Sequence, residues 1–175
     1  MQEQLTHENT HFQQKIFPIT VVCDAIYFQS NIGSIFRIGE AFGIEKIIFT
    51  GEQLVLTPRK INKTSRNTHT MVPYEVISMA SDVVDHLKSN DYQIVVLEIT
   101  NKSIPLKELT FAPETKIALV IGNEISGVSE AFLNNATETV HIEMFGKNSS
   151  INVAQATGIA LYELINKLSI NHNFI

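Results

Sequence analysis

Runs that are apolar along nearly their whole length, instead of alternating with polar residues, limit the folds open to this chain. Ile19 to Asp24, Lys46 to Thr50, Gln93 to Ile99, Lys116 to Ile121 and Glu138 to Ile142 read as strands covered on both faces. Helical periodicity falls between them, at Ile32 to Phe42, Ala80 to Ser89, Ser129 to Asn135 and Ile151 to Leu168. Strands alternating with helices predict an α/β architecture, a parallel sheet with helices on both faces. In the first helix Ile32, Ile35, Phe36, Gly39 and Phe42 share one face, with Asn31 as N-cap and Gly43 as C-terminal stop. The last helix is apolar over most of its circumference, through Val153, Ala154, Ala156, Gly158, Ile159, Ala160, Leu161, Leu164 and Ile165. Such a helix is expected to be buried on several sides, and a second copy of the chain is the natural cover for a face the sheet does not reach.

With 175 residues, 44% hydrophobic and 18% charged, the chain is expected to form a single domain over residues 1–175, with 1–18 as a short N-terminal extension. Runs such as Ile94 to Leu97 and Ile117 to Ile121 fall far short of the roughly 20 residues of a membrane-spanning helix. The polar start Met1 to Glu8 lacks the order of a secretory signal, so a cytoplasmic location is expected. The one cysteine, Cys23, excludes an intrachain disulfide. It lies in the apolar run Ile19 to Cys23 with no basic neighbour to lower its pKa, and reads as a small core residue.

The net charge of −5 argues against bulk affinity for nucleic acid, yet no acid occurs between Glu52 and Glu75. Arg59, Lys60, Lys63, Arg66 and His69 all fall in that interval, which makes one basic patch on an acidic protein. A solvated loop is the alternative reading of the same run.

Two polar segments follow strand signals. Gly122-Asn123-Glu124-Ile125-Ser126-Gly127 follows Ala118 to Ile121, and Asn148-Ser149-Ser150-Ile151-Asn152 follows Thr139 to Ile142. Loops at strand ends are where α/β folds place chemistry. Neither segment carries the glycine pattern of a dinucleotide turn or a phosphate loop, so nucleotide hydrolysis is not expected. The glycines permit positive φ and close backbone approach by a flat ligand, or else mark a plain turn before a helix capped by Ser129. Ser150 and Asn152 offer polar groups at the mouth of the last helix, or Ser149 or Ser150 simply caps it. A third segment, Asn31 to Arg37, puts an arginine within reach of the first turns of its helix, where it holds a phosphate or pairs with Glu40.

Together the segments resemble, in order and spacing, the three motifs of the SpoU/TrmH branch of the SPOUT methyltransferases. Asn31 to Arg37 with Ala41-Phe42-Gly43 is similar to the first motif and Ile121 to Ser129 to the second. Ile142-Glu143-Met144 with Ser150 to Ala154 is similar to the third, and the likeness runs from about Ile19 to Leu164. The resemblance implies a Rossmann-like sheet with a deep C-terminal trefoil knot, an exception to the rule that chains do not thread loops. It implies a homodimer that binds S-adenosylmethionine and methylates a ribose 2′-hydroxyl of RNA, with no metal and no membrane. Cofactor contacts are implied at Ile99, Thr100, Gly122, Asn123, Glu124, Gly127, Ile142, Met144, Ser150 and Ile151. Arg37, Asn31, Glu124, Ser150 and Asn152 are the implied catalytic set, with Arg37 on the flanking phosphate and developing alkoxide, because a guanidinium is a poor base. Arg59, Lys60, Lys63 and Arg66 are the expected RNA contacts. Family members often carry Pro where Glu143 stands, and with only about 18 residues before the first strand the separate N-terminal RNA-binding domain of ribosomal-RNA members is not expected. That points to transfer RNA in preference to ribosomal RNA, with a non-catalytic RNA-binding module on the same scaffold as the other reading.

Overall fold

The computed structural model describes residues 3–6, 9–10, 12–112 and 114–171. The elements run β1 (Phe17–Asp24), α1 (Gln29–Ala41), β2 (Ile44–Thr50), α2 (Pro58–Ser65), β3 (Tyr74–Val76), α3 (Ala80–Ser89), β4 (Tyr92–Leu97), β5 (Ile104–Pro105), β6 (Lys116–Ile121), α4 (Glu130–Leu133), β7 (Glu138–His141) and α5 (Val153–Asn171). All seven strands join one sheet in the order β3-β2-β1-β6-β4-β7-β5, and each neighbouring pair is parallel.

The apolar strands have the predicted cause. Along β1, Val21 and Cys23 pack with Ile32, Ile35, Phe36, Leu161 and Leu164 of α1 and α5. Val22, between them, turns to the other face and packs with Val83, Leu87, Val120 and Phe132. Both faces are therefore dry, and each fully buried aliphatic side chain contributes about 1.5–3 kcal/mol. Burial pushes the Cys23 thiol well above its ordinary range, which suits a core residue.

Register decides where the loops go. Cys23 pairs with Ile121, Leu97 pairs with Ile121, and Leu97 pairs with Val140, so β1, β6, β4 and β7 end level with one another. The segments leaving those ends emerge side by side at the carboxyl edge of the sheet. The strand β7 inserts between β4 and β5, although β4 and β5 are consecutive in the chain.

Several expectations are corrected. The helix α1 begins at Gln29 with Phe28 as N-cap, so Asn31 is already inside the helix. Gly43 follows its end with φ of 60°, as expected of a stop. Much of the basic segment is helical: Pro58 opens α2, which carries Arg59, Lys60 and Lys63, and Arg66 follows its end. The strands β3 and β5 were invisible because they are too short to show a pattern, and β3 is exposed throughout. The helix α4 is shorter than Ser129 to Asn135. The helix α5 keeps a face that the sheet does not reach, the one for which a second copy was the expected cover, with Ile159 45% and Tyr162 61% exposed beside exposed Gln155.

The helices α1 and α2 touch at Gly33, where an added Cβ would collide with Thr64 Oγ1 and the Ile61 carbonyl oxygen. The Gly33→Ala variant is expected to lose about 1–3 kcal/mol of stability, as overpacking does. Urea denaturation with an unchanged midpoint would contradict the close approach.

Candidate active site

Of the side chains at the carboxyl edge, Asn31 is the one that joins the three polar segments. Its Nδ2 donates to Glu124 Oε1, and its Oδ1 accepts from Asn152 Nδ2 at 3.1 Å. Asn152 in turn accepts the Ala154 amide at 2.9 Å through Oδ1, so it is the residue that caps α5, in place of Ser149 or Ser150. An asparagine both donates and accepts, so this chain of contacts suits Asn31 in a way that no hydrophobic or purely acidic residue could match.

The turn carrying Glu124 is held tightly. Asn123 Oδ1 accepts the Ile125 amide at 2.8 Å and the Ser126 amide at 3.2 Å, while Nδ2 donates to the Ala25 carbonyl at 2.7 Å. Asn123 and Gly127 close the turn through paired backbone bonds of 3.2 and 2.9 Å. A Cβ on Gly122 would strike the Val128 nitrogen and lie 2.6 Å from the Gly127 oxygen, so only glycine fits. Asp24, at the end of β1, accepts the Ser129 amide at 2.7 Å and fastens the same segment from the other side. The Ser129 hydroxyl makes no cap bond.

Two recesses flank the start of α5. The larger is an open groove of about 700 Å³ between α1, α2 and α5, lined by Asn31, Ser34, Arg37, Lys63, Arg66 and Asn152 among others. Arg37 thus shares a surface with Asn31 and Asn152, and no Arg37–Glu40 ion pair is found among the described residues. All ionisable residues lining this groove are basic. Lys63 and Arg66 reach it, whereas Arg59 and Lys60 are exposed on α2 outside its lining.

The smaller recess, about 120 Å³, lies between the segments after β4 and β7 and is lined by Leu97, Glu98, Ile99, Ile142, Met144 and Ile151, together with His141, Ser149, Ser150 and Ala156. Five of the expected cofactor residues, Ile99, Ile142, Met144, Ser150 and Ile151, meet there. Thr100, Gly122, Asn123, Glu124 and Gly127 do not line it. Thr100 shapes its own loop instead, by donating its amide to Ser103 Oγ at 3.0 Å. Glu143 points to a partner outside the recess, Lys107 Nζ at 2.5 Å, and the hydrogen bond between them raises the Lys107 pKa.

Sequence reasoning missed Asp24, Glu98 and His141. Glu98 Oε1 accepts the Ile99 amide at 2.9 Å and Oε2 the Val128 amide at 3.1 Å, which ties the segment after β4 to the one after β6. His141 Nδ1 lies 3.0 Å from Ser103 Oγ and ties the segment after β7 to the same loop. The available signal was a polar residue at or next to the end of a strand run.

The model of the SpoU rRNA Methylase family matches residues 18–162. A 23S rRNA (guanosine-2′-O-)-methyltransferase, RlmB of Blochmanniella floridana, is 28% identical over 163 residues, which is 93% of this chain and 63% of that protein. A tRNA (guanosine(18)-2′-O)-methyltransferase of Aquifex aeolicus is 29% identical over 146 residues, covering 83% of this chain and 67% of its own. Among solved structures, the SpoU methyltransferase AviRb from Streptomyces viridochromogenes in complex with AdoMet superposes with a TM-score of 0.76 at 25% identity, over 93% of this chain and 61% of that one. The chain thus spans about two thirds of the length of these relatives or less.

The geometry of the Asn123 turn makes its own prediction. In Asn123→Ala the Ile125 and Ser126 amides lose their acceptor, and their hydrogen exchange is expected to speed up roughly 10-fold or more. Unchanged protection by NMR would show that the side chain does not hold the turn.

Proposed function

The chain belongs to the SpoU rRNA Methylase family, and from that premise we propose that it methylates a ribose 2′-hydroxyl of RNA with S-adenosylmethionine as donor, transfer RNA being the substrate. The observation that carries the reading is the Asn31 bridge, which joins Glu124 and Asn152 beside a groove that also holds Arg37. The cofactor fits on this chain's own terms. Leu97, Ile99, Ile142 and Ile151 offer an apolar slot about the size of a fused aromatic ring. Ile99 at 53% and Ile151 at 40% are exposed at its rim, so a seated ligand would cover apolar surface.

When bound, S-adenosylmethionine supplies the sulfonium methyl group. Ile99, Ile142, Met144, Ser150 and Ile151 would hold its adenosine end, and the turn at Gly122, Asn123, Glu124 and Gly127 would flank the rest. The stretch from Ser150 to Ala156 serves both recesses, so donor and ribose would meet at the start of α5. Alignment for in-line displacement is then the main task. Arg37 would neutralise the flanking phosphate and the developing alkoxide. Asn31, Glu124, Ser150 and Asn152 would orient the ribose and Arg37. The mechanism calls on no metal.

Lys63 and Arg66 would seat phosphates next to the reacting sugar, and Arg59 and Lys60 would contact RNA farther away. This small basic surface suits a compact RNA, which is the ground for preferring transfer RNA. A second copy of the chain would cover the open face of α5, and the insertion of β7 between β4 and β5 would be threaded as the family's knot. A cytoplasmic location follows from the substrate.

Incubation with methyl-labelled S-adenosylmethionine and bulk transfer RNA is expected to label ribose. Arg37→Ala and Asn152→Ala should each lower the rate about 100- to 1,000-fold, the scale for losing transition-state charge stabilisation. Label on bases would refute the reaction, and label on ribosomal RNA alone would refute the substrate. Lys63→Ala and Arg66→Ala should reduce turnover, whereas Arg59→Ala and Lys60→Ala should weaken RNA binding and flatten its salt dependence.

A further inference from the structure

The smaller recess contains one carboxylate, that of Glu98, at the carboxyl end of β4. Its two oxygens are fixed by backbone donors that belong to different loops, Ile99 N and Val128 N. Gly127 leaves room for it, since an added Cβ there would lie 2.6 Å from Oε2. A carboxylate has about four acceptor sites, so two are taken and two are left for a ligand. It cannot donate when ionised, and the ligand groups it suits are therefore donors.

The walls around it say which donors. Leu97, Ile99, Ile142 and Ile151 form the ring-sized apolar part of the recess. Glu98 belongs to that same lining, so a group bonded to a ring seated there would come within its reach. In an adenosyl group that neighbour is the ribose, with two adjacent hydroxyl donors. A carboxylate at a strand end that accepts from ribose hydroxyls is a recurrent solution in other α/β nucleotide sites.

We infer that Glu98 is a binding residue for the donor, its carboxylate accepting hydrogen bonds from the vicinal hydroxyls of the adenosyl ribose. The inference rests on the proposed use of S-adenosylmethionine and adds the group that selects a ribose over a deoxyribose form of the ligand. The backbone bonds to Ile99 and Val128 hold the carboxylate in place before the ligand arrives, which lowers the ordering cost of binding.

The test is calorimetry of the full chain with S-adenosylhomocysteine and with its 2′-deoxy and 3′-deoxy analogues. The natural compound is expected to bind roughly 10- to 100-fold more tightly than the analogues, the range for hydrogen bonds to a charged group. In Glu98→Ala and Glu98→Gln that preference should collapse towards 1:1. Equal binding of all three compounds by the unaltered chain overturns the inference, whether or not the variants fold. A loss that is the same for all three in the variants also overturns it, because it assigns Glu98 to loop structure or to the amino acid end of the ligand. No binding of S-adenosylhomocysteine by the folded chain overturns the donor assignment itself, a result distinct from the other two.

Discussion

The hydrogen bonds of one carboxamide hold this site together. Asn31 stands on α1, Glu124 on the turn after β6 and Asn152 at the start of α5, and the Asn31 side chain bonds to both of the others. The bond to Glu124 is to a charged acceptor and is stronger than a neutral pair. Removing Asn31 would take a hydrogen bond from Glu124 and one from Asn152 Nδ2, and with them the side-chain link between the two loops. The level ends of β1, β6, β4 and β7 bring these segments near, and the amide fixes their order.

The chain's electrostatics follow the same division. Its net charge of −5 is spread widely, while the groove beside Asn31 is lined by Arg37, Lys63 and Arg66 with no acid among its lining residues. Acidity elsewhere limits unspecific attraction to polyanions, and the local cations concentrate attraction where a sugar has to be placed. Across the start of α5 the second recess is apolar, with a single anchored carboxylate. One loop thus separates a surface suited to phosphate from one suited to a flat ring.

Much of this could be read in the sequence, and the failures have physical reasons. The apolar runs of β1, β2, β4 and β6 were legible because both of their faces are buried, which leaves no polar alternation to confuse the pattern. The strand β5 has two residues and β3 three, too few for any period. The helix α2 buries only Ile61 and Ser65, so its core face carries almost no apolar signal. Asn31 was misplaced as a cap because asparagine favours helix starts, yet Phe28 occupies that position and Asn31 spends its side chain on distant loops. Asp24 and Glu98 stayed hidden for a related reason: each bonds a backbone amide far along the chain, Ser129 and Val128, and spacing in sequence carries no trace of that.

The central claim is spatial, that the donor's recess and the basic groove meet at the start of α5 in one reacting geometry. A crystal structure of the chain with S-adenosylhomocysteine and a short RNA bearing the target nucleotide tests it most directly. The account predicts the sulfur within about 3–4 Å of the ribose 2′-oxygen, one methyl group's breadth, with Arg37 on the adjoining phosphate. Well-ordered density that puts the ribose away from the Ser150 to Asn152 segment, with Arg37 turned from the RNA, would contradict it.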